Sequence, residues 1–297
     1  MNHTFILLTV CFIILSELAQ RKKHDRLKQI KKKTAIGSAN TGVMIIHLPT
    51  AVQRTTHVQN MLATLDSMPI TKHCAKNIIQ AIDGSTITPS IRDQNYCEYQ
   101  HSPHFTFQLT NNEIACFLSH KKAWQQVVDQ NLSSALIMED DVRINESIFA
   151  NALQLAYNHL KENCIIRFKG SQRKKFREYF LGHTNNRLYV PYVPYLGAFT
   201  YLISQQTAVK LLKLSSTFDR PVDSFLQLIP HQGIYSAEIY QAGVKEISGN
   251  IGGSMIQHQK RFQKHIFGPI YREYLRSRFR IHLKLHRIFH FKDVVDQ

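Results

Sequence analysis

The stretch "SALIMEDDVRI", residues 134–144, decides how the rest of the chain is read. Ser134 opens an apolar run that ends at Met138, and three carboxylates, Glu139, Asp140 and Asp141, follow without a break. An uninterrupted apolar run of this length reads as a strand buried on both faces, the condition of a parallel sheet covered by helices. The carboxyl end of such a strand is where open α/β sheets gather their ligands. Three adjacent carboxylates repel one another, so a divalent cation or cationic side chains must offset them, and hard oxygens suit Mn²⁺ or Mg²⁺. A turn or capping role for Asp140 or Asp141, or a pair with Arg143, explains the same residues. The surrounding chain has to choose between the two.

Upstream, "VMIIHL" (43–48) is a β-branched apolar run stopped by Pro49, and the polar segment 52–66 after it places Val58, Leu62 and Leu65 on one helical face. "NIIQAIDG" (77–84) reads as a second strand closing in an Asp-Gly turn, and 85–109 as a long loop. Thr110 with Glu113 three residues on is a capping-box pattern, opening a helix that Ile114, Phe117, Leu118, Ala123 and Val127 carry to about residue 130. Downstream, 146–162 and 204–214 read as helices and 163–168, 188–193, 198–203 and 234–240 as strands. Strands alternating with helices predict an α/β domain with a mostly parallel central sheet.

The 297 residues are 43% apolar, enough for one or two cored domains. The net charge of +16 sits at two ends: residues 20–33 hold eight Lys/Arg and one Asp, and 260–292 hold ten Lys/Arg and one Glu. A charge-balanced body with basic ends points to a phosphate-bearing or anionic lipid partner at the termini. No nucleic-acid motif is present, and no nucleic-acid partner is expected.

Five cysteines without a C-x-x-C pair favour a reducing compartment. The sequons at Asn2, Asn131 and Asn145 carry little weight. The apolar run Phe5–Leu18 is short for a membrane span and lacks the basic start of a signal peptide. Its basic flank from Arg21 to Lys33 keeps the body cytoplasmic if the run inserts, as a peripheral anchor at the inner membrane; an inert extension fits as well. With "GSANTG" (37–42) as a linker, the chain divides into 1–42, a body at 43–259 and a basic aromatic tail at 260–297. In the tail, Arg276, Arg280, Lys284 and Arg287 form one helical stripe and Ile281, Leu285, Ile288 and Phe289 another. That pattern suits an anionic membrane surface, and equally a helix packing its apolar stripe on the body.

Six ordered blocks, "IIHL…QR" (45–54), "AIDG" (81–84), "NNEIACFLSHKKAW" (111–124), "ALIMEDDV" (135–142), "GAFTYLIS" (197–204) and "RPVDSF" (220–225), make the chain resemble glycosyltransferase family 25. That family includes bacterial lipooligosaccharide and collagen galactosyltransferases. Ala115 stands where members often have Gly, and the basic extension before the first strand is one that many bacterial members lack. The resemblance implies a GT-A-like nucleotide-sugar fold whose acidic triplet acts as a D-x-D motif. Asp141 is then the metal contact, Glu139 reaches the metal shell or ribose, and Asp140 lies between them in the donor site. It further implies a metal-dependent, inverting transfer of a sugar from a UDP-sugar, galactose from UDP-galactose first and glucose or an N-acetylhexosamine otherwise, onto a lipid-linked lipooligosaccharide or lipopolysaccharide acceptor.

For the general base, Asp223 of "RPVDSF" comes first, against an N-cap role, and Glu238 at a strand end second. Glu113 and His120, seven residues apart on one helix face, and Arg54 and Asp83 at early β-α turns are candidates for donor contacts. Capping explains Glu113 equally well, a satisfied buried histidine explains His120, and surface ion pairing explains Arg54 and Asp83. The rival class is a non-enzymatic basic membrane- or nucleic-acid-binding protein, which has no need of an acidic triplet after a strand.

Overall fold

A computed structural model describes residues 40–105, 107–171, 178–181, 188–191, 194–247 and, near the C-terminus, 273, 274, 277–279 and 281. The apolar run and basic segment of the first 39 residues lie outside these, as does most of the tail with its two stripes.

The acidic stretch sits at the end of β3 (Ser134–Glu139), beside β1 (Thr41–His47), which pairs in turn with β2 (Ala75–Gln80). On the other side of β3 come β8 (Thr200–Ser204), β5 (Cys164–Phe168), β9 (Tyr235–Ile239), β7 (Leu188–Pro191) and β6 (Glu178–Leu181), giving the order β2-β1-β3-β8-β5-β9-β7-β6. The pairings set six of the eight strands in one direction and reverse β8 and β7. The sheet is therefore mostly parallel in orientation, and the α/β expectation holds.

Continuous apolar character follows from burial on both faces. Met44, Ile46, Ala135 and Ile137 join one core cluster, and Val43, Ile45, Leu136 and Met138 the other. Six of these eight side chains are Val, Leu, Ile or Met residues with no surface exposed, and burial of each contributes about 1.5–3 kcal/mol. The first cluster is closed by α3 (Asn111–Asp129), α5 (Gln205–Leu214) and α6 (Val222–Leu228), the second by α1 (Val52–Ser67) and α4 (Glu146–His159).

The capping box at Thr110 and Glu113 is present in full and starts α3 where expected. Ser204 and Asn145 cap α5 and α4 through side-chain oxygens. Gly84 lets the start of α3 approach β2: a Cβ there would lie 2.9 Å from the Cα of Asn112.

Two expectations need correction, and one element was not anticipated. The first strand begins at Thr41, so the last two residues of the proposed linker are already in the sheet, held by the Thr41 to Ser134 register. The segment 85–109 is not wholly loop, because Thr88 caps a short helix, α2 (Pro89–Asn95), with Pro89 at its first position. A small second sheet, β4 (Val142–Ile144) paired antiparallel with β10 (Val244–Glu246), turns the chain aside directly after Asp141. Of the tail, Phe279 packs against Leu228, with the Arg220 guanidinium 5.7 Å from its ring. Among the described residues no helix is long and apolar enough to cross a membrane.

Candidate active site

Because β1, β2 and β3 are parallel, their carboxyl ends face the same way, and α3 lies across them, tied by the Ser119 hydroxyl accepting from the Ile82 N–H at 2.8 Å. The result is a cleft of about 120 Å³ with Arg54, Gly84, Asn112, Cys116, His120 and the acidic triplet in its wall.

The three carboxylates have different environments. Asp140 is buried and saturated: Oδ1 accepts from Arg54 Nη1 at 2.6 Å, while Oδ2 lies 2.8 Å from His47 Nδ1 and accepts from the Leu48 N–H at 3.3 Å. It clamps β1 and α1 to the tip of β3, so Arg54 forms a buried ion pair, not a surface one.

Asp141 is also buried, yet its Oδ1 has no hydrogen-bond partner, and its Oδ2 is 3.7 Å from Arg54. Burial pushes its pKa up to about 7, with Glu139, Glu246 and Asp140 adding repulsion that Arg54 only partly offsets. Glu139 is the most open of the three, with 30% of its side chain exposed.

Glu139 is aimed by a chain of hydrogen bonds. Trp124 Nε1 can only donate, and it donates to the Tyr201 hydroxyl at 2.9 Å. Burial holds the Tyr201 phenol far above its usual pKa, so it keeps its proton and donates to His120 Nδ1 at 2.8 Å. The network therefore assigns the His120 proton to Nε2, which donates to Glu139 Oε1 at 3.3 Å.

The remaining candidates separate. Glu113 closes the capping box, Oε2 accepting from the Thr110 N–H and hydroxyl. Asp83 caps a short turn, accepting from the Ser85 N–H and hydroxyl and from Thr50; the Ser85 bonds hold its carboxyl below the ordinary value. Asp223 is not an N-cap, since Pro221 occupies that position; it stands in the first turn of α6 and accepts from the Ser224 N–H. Cys116 lies in the cleft wall, and burial first, then the charges of Glu139, Asp223, Asp141 and Glu113, push its thiol pKa well up.

Glu238 is corrected. It is fully buried, with Arg167 Nη2 and the Tyr195 N–H on Oε1 and the Tyr240 hydroxyl on Oε2, so its carboxylate supports a loop and does not move protons.

Sequence reasoning passed over His47, Trp124 and Tyr201, although all three lie in the quoted blocks; their signal was a polar group inside an apolar segment. Arg167 gave the same signal inside "CIIRF", and Lys169 gave none.

The description "Glycosyltransferase family 25 (LPS biosynthesis protein)" belongs to the family model that matches residues 40–226, well over half the chain. The chain belongs to glycosyltransferase family 25. Family members similar to it include human procollagen galactosyltransferase 2, 33% identical over 84 residues, which are 27% of this chain and 13% of that one. A Drosophila melanogaster glycosyltransferase 25 family member is 33% identical over 132 residues, 43% of this chain and 21% of that one. Mouse inactive glycosyltransferase 25 family member 3 is 33% identical over 109 residues, 35% and 17% of the two chains. The matched stretch thus spans no more than 21% of any of these three relatives.

Proposed function

We propose that the chain transfers galactose from UDP-galactose directly to a hydroxyl of a lipid-linked, lipopolysaccharide-type saccharide. The support is family membership together with one observation: a buried oxygen of Asp141, without a partner, beside Glu139 in the cleft wall.

Glu139 and Asp141 fit a divalent cation. Both offer hard oxygens, and Asp141 is a carboxylate whose ionised form is compensated only in part, by Arg54 at 3.7 Å. Among the described residues no three His, Cys, Asp or Glu side chains group to hold an ion; Glu139 and Asp141 would be the residues to hold a Mg²⁺ or Mn²⁺, with oxygens of the donor and of water completing its shell. Such an ion, when bound, neutralises charge on the departing diphosphate.

The chain's own residues do the remainder. The Trp124–Tyr201–His120 relay fixes the rotamer of Glu139, and the Arg54–Asp140–His47 clamp fixes the strand tip that carries Asp141. Asp223, in the first turn of α6, is the residue assigned to take the proton of the attacking acceptor hydroxyl. Family members described as inactive make the donor the first thing to test. UDP-galactose with Mn²⁺ is expected to raise the melting temperature and to be slowly hydrolysed, with UDP-glucose and the N-acetylhexosamine donors as comparisons. No stabilisation and no hydrolysis with any of the four donors would end the enzyme reading.

A further inference from the structure

Beyond the donor cleft, on the β8 and β5 side of Glu139, lies a loop whose backbone is gripped by four buried or nearly buried side chains. Gln227 Nε2 donates to the Pro194 carbonyl at 2.5 Å. Glu238 Oε1 accepts from the Tyr195 N–H at 2.6 Å, and Arg167 Nη1 donates to the Tyr195 carbonyl at 2.9 Å. Lys169 Nζ donates to the carbonyls of Leu196 and Gly197 at 3.0 and 2.8 Å and lies 5.3 Å from the centroids of the Tyr195 and Phe199 rings.

Burying a lysine, an arginine and a glutamate is costly, and here they spend their hydrogen bonds largely on main-chain atoms of one loop. Gly197, at φ +97°, makes the turn that lets the chain enter β8. What so rigid a loop presents outward is apolar: Tyr195 is 39% exposed and Leu196 48%.

The location gives this surface a use. Phe199 ends the loop and its carbonyl accepts from the Glu139 N–H at 2.8 Å. Tyr195 is four residues upstream, within about 14 Å of chain. On the transferase reading the donor occupies the cleft walled by the ends of β1, β2 and β3 and by α3, which leaves this side for the acceptor.

We infer that Tyr195 and Leu196 form a preorganised stacking platform for the pyranose ring of the acceptor saccharide, held in place by Lys169, Arg167 and Glu238. The inference rests on the transferase reading above. A sugar's C–H face is apolar and its rim is hydroxylated, so an immobile aromatic ring binds it with little loss of side-chain entropy.

The test uses the full chain with UDP-galactose and Mn²⁺, measuring donor hydrolysis alone and transfer to methyl β-glucoside and lactose as soluble acceptors. Tyr195→Ala is expected to raise the acceptor KM roughly tenfold while leaving donor hydrolysis unchanged; Tyr195→Phe should keep the wild-type KM. Lys169→Met, which releases two carbonyls, should raise the acceptor KM as well. An unchanged acceptor KM in Tyr195→Ala, with hydrolysis intact, overturns the platform and spares the transferase. Weaker binding of Tyr195→Ala to anionic phosphatidylglycerol vesicles, with acceptor KM unchanged, reassigns the loop to lipid and overturns it too. Absence of donor binding in the wild type removes the transferase reading first, and the platform with it.

Discussion

Replacing Asp141 by Asn separates a carboxylate kept for a cation from one kept for the fold. Its pKa lies at about 7 where an ordinary aspartate has 3.8, chiefly because of burial and then of Glu139. The folded chain therefore holds a proton between about pH 4 and 7 that the unfolded chain has released. The stabilisation associated with that proton is complete below about pH 4 and is lost as pH rises through about 7.

Each pH unit inside this window is worth about 1.4 kcal/mol. Two such units lie between pH 5 and 7, so wild-type stability falls by roughly 3 kcal/mol relative to the Asn variant on going from pH 5 to pH 8. The Asn amide nitrogen, if it takes the place of the partnerless Oδ1, costs about 1–3 kcal/mol for lack of an acceptor, but that cost does not change with pH. The variant should thus be equal or less stable at pH 5 and should gain on the wild type by pH 8, by roughly 5–10 °C in melting temperature.

Urea and thermal denaturation of both proteins at pH 5, 6, 7 and 8 without metal would show this. Stability curves that stay parallel across the range would refute the reasoning. With Mn²⁺ and UDP at about a hundred times their dissociation constant, the wild type should gain about 2.7 kcal/mol and Asp141→Asn little.

Three further outcomes follow from the same geometry. Tyr201→Phe leaves both the Trp124 Nε1–H and His120 Nδ1 buried without a partner, so urea unfolding should show a loss of about 2–4 kcal/mol; no loss means that the relay is not formed. Arg54→Met strips Asp140 of its 2.6 Å cation and should cost about 3–5 kcal/mol in thermal unfolding, far above what an exposed pair would show. Asp223→Asn should lower the transfer rate by about 10²–10⁴ with UDP affinity unchanged, measured by steady-state kinetics and calorimetry; full activity would remove Asp223 as the base.

What could be read in the sequence was local or periodic. The capping box at Thr110 needs only residues three apart, and the double-faced apolar runs of β1 and β3 announce burial on both sides. What could not be read depends on distant partners. Glu238 looked available because nothing near it in sequence reveals that Arg167 and Tyr195 meet it across β5 and β9. β4 is only three residues long, and its pairing with β10 lies some hundred positions away, so no period could show it. The cleft wall around the acidic triplet was legible because its residues sit at strand ends marked by apolar runs. The loop at Tyr195 was not, because Lys169 and Tyr195 become neighbours only through the reversal of β8.

The crowding of Glu139, Asp140 and Asp141 is resolved by unequal sharing of one cation. Arg54 pairs with Asp140 at 2.6 Å, with His47 Nδ1 at 2.8 Å from the other oxygen, whereas Asp141 gets the same arginine only at 3.7 Å. Coulomb energy falls inversely with distance, and Asp141 meets a second carboxylate in Glu139 besides. Had Arg54 been placed evenly between the two aspartates, neither would have been left short of charge, and the strand tip would hold an ordinary internal salt bridge. The asymmetry leaves one buried oxygen unsatisfied beside an open carboxylate. The strand tip thus carries a buried carboxylate at an electrostatic cost, and that cost is the feature on which the proposed cation site rests.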